Sequence, residues 1–106
     1  MTGLVMADLT GFQRDVLVAT RHAQAAGDAP NGQAIIDVLE ANGYDQIQSG
    51  RFYPTLDELV RLGLLEKRQN PEDKRANQYE LTDQALNLLE ARQAFLEAAR
   101  RQVESA

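Results

Sequence analysis

The sequence has no cysteine, a single histidine (His22) and no long hydrophobic run. Without cysteine there is no disulfide, thiolate metal site, thiol nucleophile or direct thiol redox switch, and one histidine cannot form a multi-histidine metal cluster. No segment approaches the roughly 20 apolar residues that cross a bilayer, and the N-terminal stretch has no basic flank before an apolar run. We therefore predict a cytoplasmic chain that binds no metal or other cofactor.

Catalytic groups are equally scarce. No nucleophile is paired with a general base in the sequence, and His22 has no evident partner near the end of a predicted helix. The composition is otherwise that of a folded protein, with 43% hydrophobic and 25% charged residues in a chain of 106. This length is enough for one core and too short for two. We expect a single folded domain that is not an enzyme.

Lysine is also rare, and acidic residues outnumber basic ones. Two lysines and nine arginines stand against sixteen acids, for a net charge of −5. Residues 1–50 hold two arginines and six acids, whereas residues 51–80 hold six basic and six acidic residues. The middle third is therefore the best candidate for contact with an anionic partner. An acidic, lysine-poor composition resembles that of proteins from salt-accumulating halophiles.

Two helices joined by turn-forming residues are predicted at the start of the chain. The first covers about residues 11–25, because Thr10 and Gln13 have the form of a capping box and apolar residues follow at helical spacing. The second covers about residues 32–41 and follows Asn31, a favourable N-cap.

A third helix, at about residues 50–62, follows Ser49 as its predicted N-cap and ends at a glycine. Pro54 is tolerated only near the start of a helix, so the helix must begin near Ser49. Phe52 and Leu56 share the apolar face and are assigned to the core.

The rest of the chain is predicted to form a hairpin and one long helix. Residues 64–68 and 78–81 are predicted strands around a polar, projecting loop, 69–77. Thr82 caps a helix over residues 83–105, whose length of about 35 Å exceeds what covering its own domain requires.

This order of elements predicts a mainly α fold with a small β-hairpin wing. We expect a winged helix-turn-helix, DNA-binding domain over residues 1–82 and a C-terminal dimerisation helix over residues 83–106. In a helix-turn-helix the second helix of the pair lays its N-terminal residues along the major groove of DNA.

Residues that can contact DNA lie on the first turns of the third helix and on the wing. Hydroxyls and amides there reach phosphates, and an arginine can reach guanine. The alternative is that Ser49 only caps, Tyr53 packs on the wing and Arg51 is a solvated charge. The predicted DNA-binding residues are Gln48, Ser49, Gly50, Arg51, Tyr53 and Thr55 on the helix, and Arg68, Lys74, Arg75 and Asn77 on the wing.

The last helix carries an apolar stripe that one small domain cannot cover along its whole length. A second copy of the chain would cover the far half; the alternative is a frayed monomeric tail. A two-fold dimer would read two half-sites about one DNA turn apart as an inverted repeat. The predicted dimer interface is Leu88, Arg92, Phe95, Leu96, Ala99 and Val103.

The residues from Ser49 to Leu65 closely resemble the PadR family of transcriptional regulators. The most specific pieces are Tyr-Pro-x-Leu at 53–56, Gly-Leu at 63–64 and Tyr-x-Leu-Thr at 79–82, within a resemblance over about residues 9–90. One departure is that residues 31–34 carry no aromatic residue where the family has Gly-Tyr.

This resemblance implies a winged helix, a dimer built through the C-terminal helix together with helix 1, and repression of nearby promoters. It also implies DNA contacts at the wing and at Ser49, Gly50, Arg51, Tyr53 and Pro54. The acidic composition is similar to that of family members from halophilic archaea.

We therefore expect a dimeric repressor that reads an inverted repeat in double-stranded DNA. In near-molar salt, about six phosphate contacts would cost about five decades of affinity per tenfold rise in salt. Inorganic ions that bridge acids to phosphates, or contacts that involve few charges, would then be needed. The alternative function is a winged-helix protein-interaction module that binds a basic protein partner.

Overall fold

The computed structural model describes residues 8–27 and 29–105, without the side chains of Lys74, Glu104 and Ser105. The α-helices and strands follow one another in the predicted order, with boundaries that differ by at most one residue, and the predicted loop also contains a short 3₁₀ helix. The elements are α1 (Gly11–Gln24), α2 (Gly32–Ala41), α3 (Ser49–Arg61), β1 (Leu65–Arg68), a 3₁₀ helix (Lys74–Ala76), β2 (Gln78–Leu81) and α4 (Asp83–Ser105).

Side-chain caps begin α1 and α2 as predicted. The Thr10 hydroxyl accepts the Gln13 amide hydrogen at 3.1 Å, and the Gln13 side chain accepts that of Thr10 at 2.9 Å. The Asn31 side chain accepts the Ala34 amide hydrogen at 2.9 Å. These bonds satisfy amide groups that have no partner inside a helix, which is why the elements start at these residues.

The start of α3 differs from the prediction by one residue. Ser49 is the first helical residue and not the N-cap, which is Gln48 and makes no side-chain capping bond. The Gln48 carbonyl accepts the amide hydrogens of Arg51 and Phe52 at 3.0 and 2.9 Å. Pro54 lies inside α3, in its second turn, where it has no amide hydrogen to donate toward the preceding turn.

The hairpin is joined to the segment that precedes α2. β1 and β2 are antiparallel, with Lys67 opposite Tyr79. The Tyr79 amide donates to the Pro30 carbonyl at 2.8 Å, and the Gln78 side chain donates to the Ala29 carbonyl at 3.1 Å. The sequence predicted only a turn at these residues. The segment that precedes α2 thus pairs with β2 like a short third strand.

Thr82 joins the hairpin, α3 and α4. Its hydroxyl accepts the Ala85 amide hydrogen at 3.2 Å, as predicted for an N-cap, and donates to the Gly63 carbonyl at 2.8 Å. Gly63 has a φ of +79°, a conformation that side chains rarely adopt, so the sharp turn from α3 into β1 favours glycine.

The core contains residues from every α-helix and from both strands. Phe52 and Leu56 are fully buried, as predicted. α4 contributes only through its first turns, at Ala85, Leu88 and Leu89. Leu88 was predicted at a dimer interface, but at 9% exposure it is part of the core of its own domain. The arrangement is the predicted winged helix-turn-helix with a long C-terminal helix, and none of its described helices is long and apolar enough to cross a membrane.

Tyr79 links the hairpin to the core and provides a test of this packing. It is 2% exposed, and burial raises its pKa above the ordinary value of 10.0, with the charge of Asp57 and the neighbouring Tyr53 adding to this and Asn77 opposing it. Because the folded-state pKa is the higher one, the stability that the neutral phenol contributes is complete below the unfolded-state pKa. It is lost as the pH rises through the folded-state pKa.

We expect the free energy of unfolding to fall between about pH 10 and 12, and to fall less steeply in Tyr79→Phe, which cannot ionise. Urea unfolding at a series of pH values measures both slopes. Equal slopes in the two proteins would mean that Tyr79 ionises as readily in the folded as in the unfolded chain.

Candidate nucleic-acid interface

The first turns of α3 and the loop between the strands border one open cleft of about 730 Å³. α2 contributes to one wall, and β1 and β2 lie at the base. The cleft therefore combines polar and aromatic groups from parts of the sequence that are far apart. Its lining residues are Gln33, Ser49, Tyr53, Asp57, Lys67, Gln69, Asn70, Pro71, Arg75, Asn77 and Tyr79.

Tyr53 is held in the cleft wall by α2 and by the core. Its ring meets that of Phe52 edge to face, with the centroids 5.1 Å apart. It also lies directly against Gly32, where an added Cβ would be 2.7 Å from the Tyr53 hydroxyl oxygen. Glycine at position 32 is thus required for the present position of the Tyr53 ring.

Arg51, on the first turn of α3, lies over an aromatic ring of α1. Its Cζ atom is 4.0 Å from the centroid of the Phe12 ring. Within the described part of the chain, the guanidinium makes no hydrogen bond or ion pair. The side chain is therefore placed by a cation–π contact, while its N–H donors remain available.

Phe12 is supported in turn by Tyr44, which lies between α2 and α3. The two rings meet edge to face at 5.6 Å, and the Tyr44 hydroxyl donates to Asp15 at 2.6 Å. That hydrogen bond raises the pKa of Tyr44, as do burial and the charge of Asp15, whereas the charge of Arg51 opposes the rise. Four residues from three segments thus form one connected group, which we call the Arg51 cluster: Phe12, Asp15, Tyr44 and Arg51.

The other described basic side chains of α3 and the hairpin are paired with carboxylates. Arg61 binds Glu58, which lowers the pKa of that carboxyl. The backbone N–H of Arg75 and then its side chain lower the pKa of Asp73. An anionic partner would have to replace these carboxylates. The pairs that include a hairpin residue are Lys67 with Asp57 at 3.4 Å, Arg68 with Glu80 at 3.9 Å and Arg75 with Asp73 at 3.3 Å.

Asn77 supports the loop from inside and does not project from it. It is 7% exposed, and its side-chain oxygen accepts the Asn70 amide hydrogen at 2.8 Å. The Asn70 side chain accepts the amide hydrogens of Glu72 and Asp73 at 2.9 and 3.3 Å. The side-chain oxygen of Asn77 therefore has a structural role, because it satisfies a backbone amide of the loop. A contact of Asn77 with DNA stays a prediction.

The remaining predicted contact residues on α3, of which Ser49 lines the cleft, differ in exposure. Gln48, Ser49, Gly50 and Pro54 are exposed, whereas Thr55 is half-buried. The Thr55 hydroxyl donates to the Arg51 carbonyl at 2.8 Å, so it is already used within the helix. The backbone of Lys74 is in the 3₁₀ helix, and its side chain lies outside the described residues.

The far half of α4 leaves large apolar side chains exposed. Phe95, Leu96 and Val103 are 64%, 54% and 78% exposed, and Ala99 on the same face is also exposed. Arg92 is half-buried, with Cζ 5.8 Å from the Phe95 ring. The apolar stripe that the sequence predicts thus starts to be uncovered where α4 leaves the core.

The sequence did not identify the supports of the candidate contacts. Helical spacing predicts only that Phe12 lies on the first helix, and the Asn31 cap predicts only that Gly32 starts the second. No local pattern indicates that one lies under Arg51 and the other under Tyr53. Tyr44 and Asp15 are 29 residues apart. Among the residues that the structure describes, no group of three metal-binding side chains occurs.

Comparisons with known proteins agree with the fold. Residues 9–91 match the model of the transcriptional regulator PadR-like family. No curated protein sequence matches the chain. The RosR protein of H. salinarum is similar to this chain in the structure of its RosR-S4 complex, with 32% identity over 92% of this chain and 85% of that one and a TM-score of 0.74. A second structure of RosR, grown from NaBr, is 33% identical over 92% of this chain and 89% of that one, with a TM-score of 0.68.

A mutant MarR of E. coli in complex with operator DNA is 28% identical over 80% of this chain, with a TM-score of 0.62. This chain spans 54% of that MarR chain.

The contact between Gly32 and Tyr53 predicts that the effect of Gly32→Ala on the free energy of unfolding depends on the Tyr53 ring. Gly32→Ala should lower the free energy of unfolding by about 1–2 kcal/mol, because the added methyl forces the Tyr53 ring to move. In a Tyr53→Ala background the same change should be neutral or stabilise by up to about 1 kcal/mol, because alanine favours helix.

Urea unfolding of the four proteins measures the cycle, and NMR shifts of the Tyr53 ring report its movement. Gly11→Ala is the matched control, since no atom lies within 4 Å of a Cβ at that helical glycine. The same destabilisation with and without the Tyr53 ring would contradict the contact.

Proposed function

The chain belongs to the PadR-like family of transcriptional regulators, and on that premise we propose that it is a sequence-specific, DNA-binding, dimeric repressor. The first turns of α3 enter the major groove and the loop between the strands contacts the neighbouring backbone. The observation that carries the proposal is the exposed first turn of α3 beside an open cleft, with the guanidinium donors of Arg51 available.

The relatives support DNA as the partner. The similar E. coli MarR chain is in complex with operator DNA. In this chain the proposed contact surface consists of Gln48, Ser49, Gly50, Arg51, Tyr53 and Pro54 on α3, with Arg68, Lys74 and Arg75 on the hairpin. Thr55 contributes through its hydrogen bond to the Arg51 carbonyl.

Ion pairs on this surface reconcile an acidic protein with a polyanionic partner. When Lys67 moves from Asp57 to a phosphate, the phosphate releases a cation but the carboxylate takes one up. Arg68 with Glu80 and Arg75 with Asp73 undergo the same exchange. The net release of cations is then small, and affinity falls less steeply with salt than it does for cations without carboxylate partners.

The far half of α4 supplies the dimer interface in this proposal. Phe95, Leu96, Ala99 and Val103 form its apolar part, and Arg92 borders it. Residues 1–82 then act as the DNA-binding unit and residues 83–106 as the dimerisation helix. A two-fold dimer of this form reads an inverted repeat.

Selection from a random duplex pool tests DNA recognition. We expect an enriched inverted repeat both at about 0.2 M and at about 2 M KCl, and Arg51→Ala should weaken binding to it by about 1–3 kcal/mol and relax one position in each half-site. Enrichment at neither salt would contradict the proposal and favour a protein-interaction module for a basic partner. Unchanged binding by Arg51→Ala would move the contact surface elsewhere.

Asp57→Asn tests the effect of the ion pairs on salt dependence. It removes the carboxylate that neutralises Lys67, so we expect about twofold to fivefold tighter binding at low salt. The plot of log affinity against log salt should steepen by about one. Glu97→Gln is the matched control, because it makes the same charge change in the Arg100 pair on α4. If both variants behave alike, only the net charge matters.

Leu96→Glu tests the dimer. A carboxylate on the apolar stripe should convert the protein from a dimer to a monomer of 11.8 kDa in sedimentation experiments, because an unpaired charge is costly to bury. Ala94→Glu is the control, since residue 94 lies on the opposite side of α4. A parent protein that sediments as a monomer at all concentrations would contradict the proposed interface.

A further inference from the structure

Arg51 differs from the other described basic side chains of α3 and the hairpin. Arg61, Lys67, Arg68 and Arg75 each face a carboxylate within ion-pair distance. Arg51 instead contacts the face of the Phe12 ring through its Cζ atom, at 4.0 Å. A carboxylate occupies the N–H donors of a guanidinium, whereas a ring under its carbon leaves them available.

The Phe12 ring is itself fixed on two sides. It is 7% exposed in the core of α1, and the edge-to-face contact with Tyr44 limits its rotation. The hydrogen bond from Tyr44 to Asp15 ties that second ring back to α1. Arg51 is the most mobile kind of side chain in this group, and the other three members restrict where its guanidinium lies.

We propose that Phe12 is a specificity-determining positioning residue, whose ring holds Arg51 ready for a bidentate contact with guanine O6 and N7 in the major groove. Tyr44 and Asp15 hold that ring. The inference rests on the proposed DNA-binding function and adds a residue of α1, outside the contact surface, to the recognition of one base. Ordering the arginine before binding reduces the side-chain entropy that is lost on contact.

A competing arrangement is one in which Arg51 must leave the Phe12 ring to bind DNA. NMR spectra distinguish the two arrangements. Side-chain protons above an aromatic face are shifted upfield in NMR spectra. We expect upfield shifts of the Arg51 side-chain protons in the free protein, and we expect them to persist in the complex with the selected duplex. Loss of these shifts on binding would overturn the proposal.

Affinity measurements test the consequence for specificity. Each protein is titrated with the selected duplex and with a duplex in which the guanine assigned to Arg51 is replaced. The parent should discriminate about 5- to 150-fold. Phe12→Leu, which keeps an apolar side chain, should reduce that ratio about 2- to 5-fold, and Phe12→Tyr, which keeps the ring, should restore it. In an Arg51→Ala background, Phe12→Leu should change nothing further.

Val16→Ala controls for stability, because Val16 is fully buried on the same helix and is not part of the Arg51 cluster. It should lower thermal stability and leave the discrimination ratio unchanged; a ratio that falls as it does in Phe12→Leu would reduce the Phe12 effect to stability and overturn the proposal. An unchanged ratio in Phe12→Leu, or unchanged discrimination in Arg51→Ala, would also overturn the proposal. In both cases DNA binding by the parent would remain. If the parent selects no duplex, the proposed function fails, and the role of Phe12 fails with it.

Discussion

The hydrogen bond from the Tyr79 amide to the Pro30 carbonyl holds the hairpin against the segment that precedes α2. The position of the candidate interface depends on it, because α2 and α3 form one side of the cleft and the hairpin forms the other. With only two short strands, the hairpin would be marginally stable on its own. The extra backbone pairing, the burial of Tyr79 and the bond from the Leu81 amide to Gln24 attach it to the helices.

Many of the charged residues of α3 and the hairpin lie in pairs of opposite sign. The acids that α3 and the hairpin carry are not spread at random, since several of them face the cations of the same surface at ion-pair distance. Such exposed pairs add little to stability. They instead present a partner with charges of alternating sign, and among the described basic side chains of α3 and the hairpin Arg51 differs, because an aromatic ring supports it.

The parts of the fold that depend on local chemistry could be predicted from the sequence. Thr10, Asn31 and Thr82 begin helices, and Gly63 ends one, because each satisfies or permits a local backbone conformation. Contacts between distant segments could not be predicted in this way. Nothing near Pro30 indicates its pairing with β2. A polar loop residue such as Asn77 looks solvated until its partner amide at Asn70 is known. The roles of Phe12 and Gly32 could not be predicted for the same reason, because they depend on the side chains of distant residues that lie against them.

The long helix α4 runs from Asp83 to Ser105 without a glycine or proline. An uninterrupted helix has no hinge, so its two ends keep a fixed rotation relative to each other. In a two-fold assembly joined through the far half of α4, that rigidity would fix the position of each DNA-binding domain relative to the interface. The number of residues between the core and the exposed stripe then sets both the distance and the angular phase between two α3 helices. One residue added there would rotate each DNA-binding domain by about 100° about its own α4, relative to the shared interface. In such an assembly the spacing of half-sites would be set by the length of a helix that touches no base.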